Sequence, residues 1–174
     1  EKGADLLPEA LTIAMTENNK SINVLILGSG NKKIENELDD LLIDYKGNYN
    51  NFIGYNEELS HLIYAGSDFL LMPSRVEPCG LNQMYAFRYG TIPIVRRTGG
   101  LKDTVIDIGD NGNGICHDQA TVEDICSSIT RAIQLYEDKR KLNALRKMGM
   151  DMDHSWSSVC KEYIEVYQLI IKKK

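Results

Sequence analysis

Apolar residues along this chain follow two different spacings, which alternate from one end to the other. In residues 5–17 they recur every three or four positions, which is typical of an amphipathic helix. In residues 22–27, INVLIL, they form a nearly continuous β-prone run, which is typical of a buried strand. The spacings predict strands over about 22–27, 50–54, 68–72 and 91–95 and in the last residues of NGNGICH (111–117). They predict helices over about 5–17, 31–45, 57–66 (capped by Asn56), 80–89, 121–136, 138–149 and 156–171, with RTGGLKD (97–103) as a glycine loop and a short segment around 104–108.

Strands that are apolar throughout and alternate with helices belong to a parallel sheet covered on both faces. The sequence therefore predicts an α/β fold with a doubly wound, Rossmann-like parallel sheet, in one domain over residues 1–174 without internal repeats. Ligands of such sheets bind at the carboxyl ends of the strands. Four unusual segments follow the predicted strands and together predict one composite site: GSG (28–30), GYNE (54–57), PSRVEPCGL (73–81) and RRTGGL (96–101).

The composition is that of a globular domain, since 43% of the 174 residues are hydrophobic and 26% are charged, enough to bury a core without disulfides. No apolar stretch approaches the roughly 18 residues of a membrane span, and no signal-peptide pattern opens the chain, so a cytoplasmic protein is expected. The formal charge of −5 argues against a nucleic-acid surface, and Lys172–Lys174 is most simply a solvated tail. The opening EKG leads into a helix without a preceding strand, as expected of a chain cut from something longer.

The cysteines and histidines predict neither a metal site nor a disulfide framework. Cys79, Cys116, Cys126 and Cys160 show no CxxC spacing, and the three histidines are scattered, so free thiols are expected. Cys79 lies beside a predicted helix start, but no histidine is close to it in sequence. We therefore interpret it as a small packing residue rather than a nucleophile.

LGSGNKK (27–33) carries the first two glycines of a dinucleotide fingerprint, Gly28 and Gly30, but Lys33 stands where the third belongs. No acidic residue ends the next strand, so a nicotinamide cofactor is disfavoured. No Gly-Lys-Ser/Thr follows at P-loop spacing. Two interpretations stay open: a tight turn whose amides approach a nucleotide, or a plain strand-to-helix turn.

Two other features are equally ambiguous when taken alone. Tyr55 follows a glycine at a strand end, where an exposed ring can stack on a nucleobase, although a lone tyrosine is more often packed. Arg96 and Arg97 either neutralise phosphate or hold their own loop. The sequence does not choose between these alternatives.

Glu77 stands just before a predicted helix start, a place that attracts anions. The amides of Gly80, Leu81 and Asn82 can hold a diphosphate there, while Glu77, one turn outside, can accept hydrogen bonds from sugar hydroxyls. An anionic group and a neutral polyhydroxyl group in one molecule describe a sugar nucleotide. The residues before and at this helix start therefore predict a sugar-nucleotide site.

Longer motifs carry a resemblance to a known family. PSRVEPCGLNQMYAFRYGTIPIVRRTGGLKDTV (73–105) and IGYNEELSHLIYAGSDFLLMPS (53–74) resemble the donor-binding half of bacterial glycogen synthases and plant starch synthases. The opening EKGADLLPEAL is similar to the family's Gln-Lys-Gly segment, so the resemblance covers nearly the whole chain. Other retaining glycosyltransferases of this fold often have a second glutamate eight positions after the first. Here that position is Tyr85, as in the glucan synthases.

The resemblance implies a retaining hexosyltransferase of GT-B architecture, of which this chain is the C-terminal, donor-binding domain. Such enzymes transfer glucose from ADP-glucose or UDP-glucose to the non-reducing end of an α-1,4-glucan, without a metal or a separate cofactor. Carried over to this chain, Lys2 neutralises the leaving diphosphate, Glu77 holds the donor glucose and Tyr55 stacks on the base. The residues that surround the phosphates and the sugar are then Cys79, Gly80, Leu81, Asn82, Thr98, Gly99 and Gly100.

The chain departs from the family in three ways. The family's arginine before the lysine and its N-terminal, acceptor-binding domain are absent from this sequence, and Asn82 replaces a common threonine. The helix predicted over 156–171 is expected to cross to the missing domain and to expose Trp156, Val159 and Tyr163 in this chain. We therefore expect a fragment that folds, binds nucleotide weakly and does not catalyse transfer.

Three alternatives accompany this interpretation: another retaining GT-B transferase such as a sucrose- or mannose-handling enzyme, a non-catalytic glucan-binding module, and a Rossmann oxidoreductase. Tyr85 and the Cys79 context count against the first. The retained Lys2 and Glu77 count against the second, and Lys33 counts against the third. Stacking on a tyrosine suits adenine and uracil alike, so the preferred base stays open.

Overall fold

The computed structural model describes residues 1–18 and 21–172. They form an alternating series of strands and helices, with 3₁₀ turns at Ala4–Leu6 and Ile108–Asp110. The strands are β1 (Val24–Gly28), β2 (Tyr49–Ile53), β3 (Phe69–Met72), β4 (Ile92–Arg96) and β5 (Ile115–His117). The helices are α1 (Leu7–Glu17), α2 (Lys32–Asp44), α3 (Glu57–Gly66), α4 (Asn82–Tyr89), α5 (Gly99–Thr104), α6 (Val122–Glu137), α7 (Lys139–Asp151) and α8 (Trp156–Lys172).

All paired strands in the described residues run parallel to each other. β1 pairs with β2 in a two-stranded sheet, and β4 lies between β3 and β5 in a three-stranded sheet. The α/β class with parallel strands, predicted from the apolar runs, is confirmed. The strand hydrogen bonds divide the strands into two sheets rather than the one sheet expected.

Helices cover both faces of the three-stranded sheet. Ile94 of β4 and Ile115 of β5 pack with residues of α6 and α7. Val95, the next residue of β4, packs with Phe87 of α4 and Leu101 of α5. Because successive strand residues point to opposite faces, this alternation places α6 and α7 on one face and α4 and α5 on the other. This is the doubly wound arrangement predicted from the sequence.

Helix α1 joins the two sheets. Leu11 and Met15 pack against Leu38 of α2 and Tyr49 of β2, and Ile129 of α6 packs against the same cluster. The helix contacts both α2 and α6. The first helix of the chain therefore ties the two-stranded unit to the three-stranded unit through apolar contacts.

Side-chain caps set the start of several helices where the sequence predicts them. Asn56 accepts a hydrogen bond from the amide of Leu59 at 2.9 Å, so its predicted role as the cap of α3 is confirmed. Asn31 accepts from the amide of Lys33 at 2.9 Å at the start of α2. Such caps satisfy amides that the first helical turn leaves without intrahelical partners.

Three predicted elements differ from the structure, and a glycine causes the first difference. The helix predicted over 80–89 begins only at Asn82, because Gly80 has a left-handed backbone (φ 77°) that makes a turn instead. RTGGLKD is not a loop throughout, since Gly99–Thr104 forms α5. The 3₁₀ turn at Ile108–Asp110 takes the place of the short segment expected around 104–108.

Helix α8 has an apolar surface that the described residues leave uncovered. Trp156 is 77% exposed and Tyr163 is 56% exposed, as predicted, whereas Val159 is half-buried.

None of the described helices is long and apolar enough to span a membrane. Contact of α8 with another domain stays a prediction. Of the predicted Lys172–Lys174 tail, residues 173 and 174 lie outside the described residues.

The carboxylate of Asp107 anchors the segment between α5 and β5. It is buried and accepts hydrogen bonds from Arg131 Nη2 (2.6 Å), the amide of Gly109 (2.7 Å) and the amide of Cys116 (2.7 Å). Burial alone raises the pKa of Asp107, but the hydrogen bonds from Arg131 and the two amides outweigh it, so the pKa lies below its ordinary value. The charged form is therefore the stabilising one.

We expect Asp107→Asn to lower the free energy of unfolding by about 1–3 kcal/mol at pH 7, because the amide cannot replace a carboxylate that accepts three hydrogen bonds. Because the pKa of Asp107 is lower in the folded state than its unfolded value of about 4, the charged carboxylate stabilises the fold above about pH 4. This stabilisation is lost as the pH falls through the pKa of the folded state. The difference between variant and wild type should therefore shrink towards pH 3. Urea unfolding from pH 7 to pH 3 measures this difference in the free energy of unfolding. Asp103→Asn, at an exposed position, is the charge-matched control. An equal loss at both ends of this range would contradict the assignment.

Candidate nucleotide-sugar site

A buried carboxylate lies in the loop that follows β3. Glu77 is 8% exposed, and Lys2 Nζ donates hydrogen bonds to both of its carboxylate oxygens, at 2.8 Å to Oε1 and 2.7 Å to Oε2. Ser74, also buried, donates its hydroxyl to Oε2 at 3.2 Å. The structure therefore brings together two predicted site residues that are 75 positions apart in sequence.

The beginning of the chain is held against this loop by its backbone as well. The carbonyl oxygen of Glu1 accepts hydrogen bonds from the amides of Arg75 (2.7 Å) and Val76 (3.2 Å). The guanidinium of Arg75 forms a two-point ion pair with Asp5, and its hydrogen bonds lower the pKa of that carboxyl. These contacts position Lys2 beside Glu77.

The glycine segment at the start of α5 lies in backbone contact with the same loop. The amide of Gly100 donates to the carbonyl oxygen of Glu77 at 3.1 Å. A Cβ on Gly99 would overlap the carbonyl oxygen of Glu77, and one on Gly100 would overlap that of Cys79. No side chain fits at either position, so Thr98, Gly99 and Gly100 do lie beside Glu77 and Cys79.

Cys79, Gly80 and Leu81 form the turn that leads into α4, and we call residues 79–81 the helix-entry turn. Gly80 supplies the left-handed residue of this turn, and Cys79, Leu81 and Asn82 are all exposed. The first amides of a helix have no partner four residues earlier, so those of this turn and of Asn82 suit an anion. Phosphate contacts of these residues stay a prediction.

The remaining predicted site residues follow β1 and β2. The amide of Gly54 donates to the carbonyl oxygen of Gly28 at 2.8 Å, which joins the two strand ends. Tyr55 is 85% exposed, so the ring is available for stacking rather than packed. The amide of Gly30 donates to Glu35 at 2.9 Å and lowers the pKa of that carboxyl, as in a self-contained strand-to-helix turn.

Both arginines of the pair hold loops at this edge of the sheet. Arg96 Nη1 donates to the carbonyl oxygens of Ser74 (3.3 Å) and Arg75 (3.0 Å), and its Nε donates to that of Asp118 (3.1 Å). Arg97 Nη1 pairs with the carboxylate of Asp118 at 2.8 Å. Arg96 therefore braces the loop after β3 from the neighbouring strand.

Tyr85, where related transferases have a second glutamate, belongs to a cluster of rings between α3 and α4. The centroid of its ring lies 6.1 Å from the ring centroid of His61 and 6.0 Å from that of Tyr64. Tyr89 completes the cluster, stacked on Tyr64 at 6.2 Å, and its hydroxyl lies 3.1 Å from His61 Nδ1. This position therefore serves ring packing rather than charge.

Sequence reasoning missed two buried polar residues of the site, Ser74 and Gln83. Gln83 is fully buried in the first turn of α4, and its Nε2 contacts the helix-entry turn. A signal for it existed, because Gln83 lies three and four positions before the apolar Ala86 and Phe87 and so shares their buried helix face. A polar side chain on such a face needs an internal partner.

The described residues contain no group of three or more His, Cys, Asp and Glu side chains that could hold a metal ion. The four cysteines are free thiols, as expected from their spacing. Burial raises the pKa of Cys116 to about 11, so this thiol stays protonated.

A parallel α/β domain with polar groups gathered at the carboxyl ends of its strands belongs to the class of doubly wound folds that bind ligands at that edge. The sequence pattern of glycosyl transferases group 1 matches residues 1–148. The chain belongs to this family.

Individual relatives agree with the resemblance described above. The chain is 70% identical to a glycogen synthase of Flavobacterium johnsoniae over 174 residues, which are all of this chain and 37% of that protein. It matches the catalytic domain of starch synthase IV from Arabidopsis thaliana, solved bound to ADP and acarbose, with 34% identity and a TM-score of 0.83 over 97% of this chain and 36% of that one. Both findings confirm the resemblance to glycogen and starch synthases.

A more distant structure shares the fold alone. The C-terminal domain of a group 1 glycosyl transferase from Francisella tularensis matches with 17% identity and a TM-score of 0.68, over 86% of this chain and 76% of that one. The chain thus spans about a third of the length of its closer relatives but most of this isolated domain.

We expect Gly100→Ala to lower the free energy of unfolding by about 1–3 kcal/mol, because its Cβ overlaps the carbonyl oxygen of Cys79 and must separate the two segments. Gly30→Ala is the matched control, since a Cβ there meets open space and should change stability by less than about 0.5 kcal/mol. Urea unfolding of both variants measures the difference. Equal stability of the two variants would show that the glycine segment does not lie against Cys79.

Proposed function

We propose that this chain is the donor-binding domain of a glycogen or starch synthase. In the whole enzyme it would transfer glucose from ADP-glucose or UDP-glucose to the non-reducing end of an α-1,4-glucan, with retention at the anomeric carbon. The observation that carries the proposal is the pairing of Lys2 with Glu77 next to the helix-entry turn. The identity to a glycogen synthase and the likeness to a starch synthase solved with ADP support it.

The chemistry needs opposite charges to be stabilised at neighbouring positions. When a nucleoside diphosphate leaves the anomeric carbon, negative charge grows on phosphate oxygens and positive charge grows on the sugar ring. Lys2 is 67% exposed at its side chain, so a diphosphate can reach the ammonium group from solvent. Fixed donors that face the developing charge lower the barrier without reorganisation, which suits the amides of Gly80, Leu81 and Asn82.

Glu77 takes the sugar in this proposal. Its carboxylate accepts hydrogen bonds in the structure from Lys2 and Ser74 and has further lone pairs for sugar hydroxyls. Thr98, Gly99 and Gly100 lie against the loop of Glu77 and Cys79, and in this proposal they lie beside the sugar and the diphosphate. Exposed Tyr55 stacks on the base.

The reaction would use no separate cofactor and no metal, because the lysine and the amides supply the positive charge. The glucan acceptor would bind mainly to a second domain outside this chain, and α8 would pack its exposed apolar side chains against that domain. We expect the enzyme to work in the cytoplasm.

Nucleotide binding tests this proposal directly. Calorimetric titration of the chain should show weak binding of ADP or UDP and none of NAD. Lys2→Met and Tyr55→Ala should each weaken binding about tenfold, which corresponds to about 1.4 kcal/mol for a lost charge or stacking contact. Lys33→Met, at a lysine 85% exposed on α2, is the charge-matched control and should bind like wild type.

Two results would contradict the proposal. Binding of NAD alone would favour the Rossmann oxidoreductase, and binding of α-1,4-glucan without any nucleotide would favour the glucan-binding module. Equal weakening by Lys2→Met and Lys33→Met would show a general charge effect instead of a site.

We expect the isolated chain not to elongate a glucan, because the proposed acceptor surface belongs to another domain. Incubation with ADP-glucose or UDP-glucose and a maltooligosaccharide, followed by analysis of the product lengths, measures this. Release of the nucleotide without elongation would agree with the proposal, whereas measurable elongation would overturn the assignment of the acceptor to a second domain.

A further inference from the structure

Gln83 connects the two backbone segments of the proposed donor site. Its side chain is fully buried in the first turn of α4. Nε2 lies 2.8 Å from the carbonyl oxygen of Gly80 and 3.3 Å from that of Cys79, both in the helix-entry turn. The same nitrogen lies 3.1 Å from Oγ1 of Thr104, the last residue of α5.

The chemistry of the partners fixes the direction of these hydrogen bonds. Thr104 donates its hydroxyl hydrogen to the carbonyl oxygen of Gly100 at 2.7 Å, so its oxygen accepts the hydrogen from Gln83. The other hydrogen of Nε2 goes to the carbonyl oxygen of Gly80. One continuous chain of hydrogen bonds therefore runs from the helix-entry turn through Gln83 and Thr104 to Gly100.

The burial of the Gln83 amide costs free energy that an apolar side chain would not. Oε1 of Gln83 is buried and has no hydrogen-bond partner among the described residues. An unsatisfied buried acceptor costs about 1–3 kcal/mol, whereas an apolar side chain of the same length would leave no such atom. What glutamine supplies in return is the pair of donors that links the two segments.

The side chain also determines the shape of the helix-entry turn. A Cβ on Gly80 would lie 2.6 Å from Oε1 and 2.9 Å from Nε2 of Gln83, so the amide group fills the space beneath the turn. Gly80 accommodates this with a φ of 77°, which a side chain would strain. The turn and the amide therefore support each other.

We infer that Gln83 is a positioning residue for the donor site. It holds the helix-entry turn and Gly100 at a fixed separation, so that the amides of the turn keep their direction towards the diphosphate of the proposed ligand. It does not touch the ligand, because its side chain is fully buried. The inference rests on the proposed function for the identity of the ligand.

Gln83→Met tests the inference, because it keeps the length of the side chain and removes both donors. We expect it to weaken ADP or UDP binding about tenfold and to accelerate hydrogen exchange of the Gly100 amide, which in wild type is bonded to Glu77. Thr104→Val should produce the same two effects, and Thr104→Ser, which keeps the hydroxyl, should restore wild-type behaviour. The double variant of Gln83→Met and Thr104→Val should lose no more affinity than either single variant, because both break one chain of bonds.

Thr91→Val provides a control of matched chemistry. Thr91 is 99% buried, and its hydroxyl also contacts two backbone carbonyl oxygens, those of Tyr64 and Ser67, but it precedes β4 at the opposite end of the sheet. Its loss should reduce stability while leaving nucleotide binding and Gly100 exchange unchanged. Equal effects of Thr91→Val and Gln83→Met on binding or on Gly100 exchange would overturn the inference.

Hydrogen exchange separates this inference from the proposed function. If wild type binds neither ADP nor UDP but Gln83→Met still accelerates exchange at Gly100, the linkage of the two segments stands and the donor-site proposal fails. If nucleotide binds and both binding and Gly100 exchange are unchanged in Gln83→Met, the positioning role is overturned and the donor site stands.

Discussion

The buried carboxylate of Glu77 is the constraint on which the rest of the site depends. A charge in a nearly buried position is tolerated only when opposite charge and hydrogen-bond donors compensate for lost water. Lys2 and Ser74 supply this compensation. Because Lys2 comes from the start of the chain, its approach requires Glu1 to bond the backbone of Arg75 and Val76. The contacts of the first residues with the loop after β3 therefore place Lys2 where it neutralises this carboxylate.

Close backbone approach is the second requirement of this arrangement. The segments around Glu77 and Gly100 touch without intervening side chains, and the turn at Gly80 curls over the amide of Gln83. Such contacts bury little apolar surface and instead pair amide donors with carbonyl oxygens. The apolar clusters on both faces of the three-stranded sheet offset this by holding α4 and α5 in place. A rigid sheet thus supports a polar, glycine-lined edge.

The features that this chain shares with its whole family differ from those that it shares with glycogen and starch synthases. The fold is shared with distant group 1 glycosyl transferases, as the Francisella tularensis domain shows at 17% identity. At Tyr85, where the resemblance places a second glutamate in other transferases of this fold, four rings pack together instead. Identity to a glycogen synthase agrees with this distinction.

The sequence by itself determined the alternation of strands and helices, the parallel α/β class and the loops that carry the site, because these depend on local apolar spacing and on glycine. It predicted a site at Glu77 and the helix-entry turn from their position after a strand. Only the tertiary structure decided that Lys2 bonds Glu77, that Arg96 braces a loop and that Gln83 joins two segments. Each of these contacts links residues whose meeting depends on how strands and helices pack, or on the direction of a buried side chain. Spacing along the chain indicates that Gln83 faces the core, but not which groups any of these side chains meets.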